Sequence, residues 1–236
     1  MRVMALDTTG RAGSVALVDD GRLVDERAGD ASRTHGERLP GELDALGVEW
    51  SSVDVFAVAA GPGSFTGLRI GIATIQGLAL VSQRPTAGVS ALEALAQLAS
   101  RDLAEGDTIA AWIDAQRGEV FSALYRVGPA PLFTPERLVE LEAPAVAAPL
   151  VTMSAWSRHD LRSTTFAGDG AARYAPTREA DGAMVRMARP ALLAGAIGCM
   201  ASVCAARGLV TAPDAVQPLY IRRPDAEIHR QRQTAR

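Results

Sequence analysis

The sequence predicts an α/β protein assembled from two similar halves. Short apolar runs bounded by turn residues alternate with segments whose apolar residues recur at helical spacing. The same order begins at the start of the chain and begins again after Gly106-Asp107, each time with strands joined by a tight turn. A length of 236 residues suits one large domain or two small ones. The expected division is therefore 1–104 and 105–236, with a helix over 190–207 as a candidate to pack between the two.

Residues 3–6 and 14–18 are apolar runs, and Asp19-Asp20-Gly21-Arg22 carries an Asp-Gly hairpin signal leading into a third strand over 23–28. Thr34-His35-Gly36-Glu37 has the spacing of a capping box, in which Glu37 reaches back to the cap. Leu39, Leu43 and Leu46 follow at helical spacing. Pro40 conflicts with that helix, because a proline past the first turn removes a hydrogen bond and clashes with the turn before it. The helix should kink there or begin nearer Pro40. Residues 53–60 suit a buried strand and run straight into Gly61-Pro62-Gly63-Ser64-Phe65-Thr66-Gly67. Ile70, Thr74, Leu78 and Val81 then mark a helix. A strand at 86–89 and a helix from Ser90 to about 104, with Ser90 and Glu93 as its capping box, complete the first half.

In the second half, strands at 109–113 and 120–125 flank Asp114-Ala115-Gln116-Arg117-Gly118-Glu119. Thr134-Pro135-Glu136 opens a short helix with proline at its first position. The Pro- and Ala-rich stretch 143–149 reads as a loop, and a strand at 164–167 leads into Gly168-Asp169-Gly170-Ala171. Residues 190–206 carry no charge and read as a helix buried on all sides, and 219–222 are expected to close the sheet.

Composition excludes several chemistries. All 24 basic residues are arginine, so no P-loop lysine, Schiff-base amine, PLP anchor or kinase-type strand lysine exists. A net charge of −3 and few aromatics argue against a lone nucleic-acid binder. The basic cluster Arg222, Arg223, Arg230, Arg232 and Arg236 is either a solvated terminus or a phosphate-contacting arm. Cys199 and Cys204 have neither CxxC nor zinc spacing and read as free thiols of a reducing compartment. Residues 3–6 are too short a run for a signal peptide, and 190–206 falls short of the roughly 20 residues of a membrane span, so a cytoplasmic protein without a membrane partner is expected.

Glycines 61, 63, 67 and 71 bracket a strand-to-helix turn, with Thr66 placed to cap the helix. Three readings are open: a phosphate-facing loop whose nearest cation is Arg69, a tight turn below a closely packed helix, or a small-residue face admitting a partner helix. Asp7-Thr8-Thr9-Gly10 ends the first strand. Its carboxylate could hold a metal and its hydroxyls a phosphate, or Asp7 could simply cap a turn. Gly168-Asp169-Gly170 is a loop of the same kind. Asp7, Thr8, Thr9, Gly168, Asp169 and Gly170 are thus the candidate residues of a degenerate nucleotide site. His35, His159 and His229 are never three or four apart, and no serine sits centrally in a G-x-S-x-G elbow. No catalytic residue, metal or cofactor is assigned.

The run from Gly61 to Gly71, Gly-Pro-Gly-Ser-Phe-Thr-Gly-Leu-Arg-Ile-Gly, resembles the hallmark of the TsaB (YeaZ) family. Further matches are Leu6-Asp7-Thr8, His35 with Glu37-Arg38-Leu39, Val89-Ser90 followed by Leu92-Glu93-Ala94-Leu95, Asp114 with Arg117-Gly118-Glu119-Val120, Gly168-Asp169-Gly170-Ala171, and Pro218-Leu219-Tyr220 with Arg222. The resemblance implies an actin-like ATPase (ASKHA) fold of two RNase H-like halves. It also implies a part in making threonylcarbamoyladenosine in tRNA, at the adenosine following the anticodon. In that family a paralogous partner, TsaD, catalyses the transfer with help from the ATPase TsaE. TsaB resembles a noncatalytic scaffold, homodimeric when alone and reaching tRNA through the complex. In keeping with this, the His-x-x-x-His metal motif that the catalytic paralogue needs does not occur here. The family's pairing surface, carried over, comprises Glu37, Leu39 and Leu43 on the first helix, and Gly67, Arg69, Ile70, Gly71, Thr74 and Leu78 on the second. Gly71→Arg is accordingly expected to block pairing and leave the fold intact. The stretch from Leu39 to Val53 is about a turn shorter than the family suggests. The alternative is an active small-molecule kinase or ATPase of the same fold, using Asp7 and the glycine loops.

Overall fold

The computed structural model describes residues 1–175, 186–189 and 191–222. Two five-stranded sheets lie among them, with the same topology. In the first, β1 (Arg2–Asp7), β2 (Ser14–Asp19) and β3 (Arg22–Ala28) form an antiparallel meander, and β4 (Val55–Gly61) and β5 (Thr86–Ser90) add in parallel beside β1, giving the order β3-β2-β1-β4-β5. In the second, β6 (Thr108–Asp114), β7 (Val120–Val127) and β8 (Leu138–Ala147) repeat the meander, with β9 (Thr165–Ala167) and β10 (Arg186–Met187) parallel beside β6. The central strands β1 and β6 both end on aspartate, Asp7 and Asp114.

β1 is buried on both faces, as its unbroken apolar run requires. Its alternate residues serve different layers. Met4 and Leu6 join Leu39, Leu43, Phe56 and Ile75 under the two outer helices, α1 (His35–Asp44) and α2 (Phe65–Ser82). Val3 and Ala5 face an inner cluster shared with Ile109, Ala111 and Ile113 of the second sheet. That cluster also holds α3 (Ala91–Ala99) and α6 (Ala194–Ala206). α6 lies on β1, β2 and β4, and α3 reaches both α6 and β6. Small residues let α6 settle onto the sheet: a methyl group on Gly198 would sit 2.7 Å from Val18. The first turn of α6 has no capping side chain of its own. The Ser14 hydroxyl instead accepts from the Ala194 N–H at 3.0 Å, and Glu26 accepts from the Gly195 N–H at 2.7 Å. Trp112, Phe166 and Trp156 build a third cluster on the outer face of the second sheet, near α4 (Pro149–Ala155) and α5 (Asp169–Tyr174).

Four local expectations change. Residues 143–147 belong to β8 rather than to a loop. The β7–β8 register shifts between Ser122 and Leu124, and this bulge in an edge strand accommodates Pro144, which has no N–H to pair. Residues 219–222 form no strand; the Leu219 N–H donates to the Ala60 carbonyl at 2.7 Å and ties the segment to the end of β4. α1 starts at His35 and carries Pro40 inside it. The helix after Ser90 ends at Ala99 and tightens into a single 3₁₀ turn, Ser100–Asp102.

Candidate functional site

The glycine-rich turn between β4 and α2 is a two-sided grip. Ser64, not Thr66, caps α2: its hydroxyl accepts from the Gly67 N–H at 3.2 Å. A β-carbon on Gly63 would lie 2.5 Å from that of Thr9, one on Gly67 would overlap the Thr8 carbonyl oxygen, and one on Gly71 would overlap the Thr8 hydroxyl. These three glycines let α2 rest directly on the chain leaving β1. The other side holds the C-terminal segment. Gly61 adopts φ +123°, and a β-carbon there would meet the Leu219 carbonyl oxygen at 2.8 Å. The Phe65 ring lies 5.1 Å from that of Tyr220, the Arg69 guanidinium covers Phe65 at 3.9 Å, and Arg69 Nε donates to the Tyr220 hydroxyl at 3.0 Å. Of the three readings of the glycines, the geometry is that of the closely packed turn.

Arg222 extends this C-terminal strap to the other half of the chain. It donates to the Ala115 carbonyl at 2.7 Å, pairs with the Glu119 carboxylate, and lies 5.6 Å over the Phe121 ring. Arg222 is therefore engaged with the β6–β7 turn rather than held as part of a solvated arm. Arg223, Arg230, Arg232, Arg236 and His229 lie outside the described residues.

A cleft of about 190 Å³ opens where the loops after β1 and β9 face each other. Asp7, Thr9 and residues 10–14 form one wall, and Gly168 and Asp169 lie opposite, with Leu95 and Leu193 between. Four of the six candidate nucleotide residues thus meet. Thr8 does not line the cleft: it is fully buried beneath α2, and its hydroxyl has no hydrogen-bond partner. Gly170 is also set back, pressed against the Ile113–Asp114 backbone.

Asp7 is 6% exposed and accepts from the Thr9 N–H at 2.8 Å and the Thr9 hydroxyl at 2.6 Å. Burial pushes its carboxyl above the usual carboxylate range, and these two hydrogen bonds oppose that shift. Asp169 accepts from the Asp114 N–H at 2.9 Å and the Gly170 N–H at 2.8 Å, so it fastens the end of β6. Among the described residues, no group of three His, Cys, Asp or Glu side chains could hold a metal ion. His159 sits against Glu142 at 2.6 Å, and Cys199 and Cys204 are free thiols.

Sequence reasoning overlooked Arg38 as a site residue. It is 3% exposed, pairs with Glu42 one turn on at 2.6 Å, and donates to the Ala12 carbonyl and to His35 Nδ1. His35 Nε2 donates in turn to the Gly10 carbonyl at 3.0 Å, which fixes the neutral tautomer with Nδ1 as acceptor. Burial and the Arg38 charge hold the His35 pKa below its ordinary value. The Arg38-x-x-x-Glu42 spacing was the available signal.

The residues expected to pair with a partner divide. Leu39 and Leu43 are buried in the core, and Gly67 and Gly71 face Thr8. Glu37 and Arg69 are exposed, and Ile70, Thr74 and Leu78 are half-buried. The outward stripe of α2 is Ile70, Ala73, Gly77 and Val81, flanked by Leu80; Val81 is 86% and Leu80 70% exposed. A β-carbon on Gly77 would meet nothing within 4 Å. Ala73 and Gly77 were missed because the small-residue face was assigned to Gly67 and Gly71.

Known proteins resemble the chain in sequence and in fold. Residues 29–172 match the family model "TsaD: tRNA N6-adenosine threonylcarbamoyltransferase". The Escherichia coli protein named tRNA threonylcarbamoyladenosine biosynthesis protein TsaB is 44% identical over 130 residues, 53% of this chain and 55% of that protein. The matched region spans about half the length of such curated relatives. A Pseudomonas aeruginosa crystal structure described as similar to peptidase YeaZ superimposes with TM-score 0.74 at 32% identity, covering 94% of this chain and 99% of that one. The Clostridium difficile activator of 2-hydroxyisocaproyl-CoA dehydratase, solved with ADPNP, shares the fold at TM-score 0.52 and 12% identity. The architecture is the actin-like ATPase (ASKHA) fold, and the chain belongs to the TsaB/YeaZ family.

Proposed function

We propose that this chain is a noncatalytic subunit of the machinery that makes threonylcarbamoyladenosine in tRNA. It pairs with a TsaD-like catalytic paralogue, works with a TsaE-like ATPase, forms a homodimer when alone, and meets tRNA through the complex in the cytoplasm. Kinship with proteins named for that pathway carries the reading. The chain's own chemistry supports it: no lysine, no His-x-x-x-His motif, and hallmark glycines occupied in packing α2 onto Thr8 and Thr9. The outward apolar stripe of α2, with Ala73, Gly77 and Val81 exposed and Ile70 half-buried, is the surface offered to the partner, with the outward residues of α1 beside it.

The pairing surface is thus refined from the sequence expectation, moving from Gly67 and Gly71 to Ala73 and Gly77. Reconstitution tests the function. TsaD-like and TsaE-like proteins are assayed for tRNA modification with and without this chain, and activity should require it. Full activity in its absence would overturn the proposal. ATP turnover by the purified chain alone would instead favour the kinase or ATPase alternative.

A further inference from the structure

Three successive carbonyls of the cleft wall, those of Gly10, Arg11 and Ala12, are all taken by two side chains of one helix, His35 and Arg38 of α1. The chain is shaped to admit this. A β-carbon on Gly29 would overlap the Arg38 guanidinium, and Gly13, at φ +63°, lies under the His35 ring. The Arg38 side chain is 2% exposed and its carboxylate, Glu42, lies on the same helix. A buried guanidinium stripped of its acceptors is costly, so α1 and the loop should move together or not at all. The opposite face of α1, with Glu37, Pro40, Gly41 and Asp44, is exposed.

We propose that Arg38 is a positioning residue that couples docking on the outer face of α1 to the cleft wall at residues 10–13. The partner half of this statement rests on the function proposed above; the hold of Arg38 on the loop does not. The test is hydrogen exchange of the full chain read by mass spectrometry, alone and with the TsaD-like partner. In the isolated chain, Arg38→Gln should speed exchange at 10–13 by about tenfold while β1 and α2 keep their protection. Partner binding should slow exchange at 10–13 in the wild type. In Arg38→Gln the partner should still bind with similar affinity, yet leave that exchange unchanged.

Leu39→Ala is the control for a merely structural effect, since loss of a core side chain should lower protection throughout the first sheet. If Arg38→Gln folds poorly, Glu42→Gln, which leaves Arg38 without its carboxylate, should loosen the same loop. Unaltered exchange at 10–13 in both Arg38→Gln and Glu42→Gln, or a partner effect that survives in Arg38→Gln, would overturn the coupling. Failure of the wild type to bind the partner would overturn the proposed function and the partner half of this proposal. The isolated-chain comparison would still decide whether Arg38 holds the loop.

Discussion

Replacing Gly67 and Gly77 by alanine, one at a time, separates the two faces of α2. Gly77 lies in the interior of α2 and Gly67 in its first turn, so alanine gains about 1 kcal/mol of helix propensity at Gly77 and at most that at Gly67. At Gly77 the new methyl meets nothing within 4 Å, and that gain stands alone. At Gly67 the methyl overlaps the Thr8 carbonyl oxygen, a backbone atom that cannot swing aside as a side chain would. Overpacking costs about 1–3 kcal/mol, and an immovable neighbour puts Gly67 near the upper end. The net loss for Gly67→Ala is then about 2 kcal/mol, after the propensity gain. For a chain of this size, about 2–4 °C in Tm corresponds to each kcal/mol. Gly67→Ala should therefore melt about 4–8 °C below the wild type and Gly77→Ala about 2–4 °C above it. Circular dichroism of the three proteins measures this. Equal shifts, or a Gly67→Ala variant as stable as the wild type, would refute the inward placement of Gly67.

Pairing should respond in the opposite way. Gly77→Arg should abolish the complex with the TsaD-like partner in size-exclusion chromatography without lowering Tm, since arginine is a better helix former than glycine. Gly71→Arg should instead lose the fold, because Gly71 abuts the buried Thr8 hydroxyl. Stability should depend on His35 with a definite sign. Its pKa is held below the ordinary 6.5, so the unfolded chain takes up the proton first. The contribution is complete above 6.5 and is lost as pH falls through the folded value. Urea denaturation across that range should show the slope in the wild type and a flatter one in His35→Gln. Tyr220→Ala removes the ring stacked on Phe65 and the acceptor of Arg69, and should cost about 1–2 kcal/mol in the same assay. Cys199, whose thiol burial pushes up to about 11, should stay unlabelled by maleimide at pH 7.5 in the native protein and react once it is unfolded.

The layered fold was legible because its signals are local. Val3, Met4, Ala5 and Leu6 announce a strand buried on both faces, and Thr34 with Glu37 announces a helix start. Pro144 misled because proline usually ends a strand, and only the partner strand can provide a bulge for it. The cleft was half legible. Asp7 and Asp169 stand out beside glycines, but their meeting depends on how two distant loops face each other. The faces of α2 were not legible at all, because glycine serves equally against a neighbouring backbone, as at Gly67, and toward open space, as at Gly77. Arg38 stood out only within the family match and not as a site residue, for a related reason: an arginine beside a glutamate reads as surface until burial is known.

α6 is supplied by the last third of the chain yet covers the inner face of the first sheet, with its first turn fastened by Ser14 and Glu26. A ribosome releases β1 to β5 long before it makes α6. Until then Val3, Ala5, Val18 and Ala57 line an apolar face lacking that helix. The first sheet therefore matures last on its inner side, and a truncated product ending near residue 104 would keep that face open to aggregation or to chaperones. A cut at the apparent boundary between the halves would divide the sequence without dividing the folding unit.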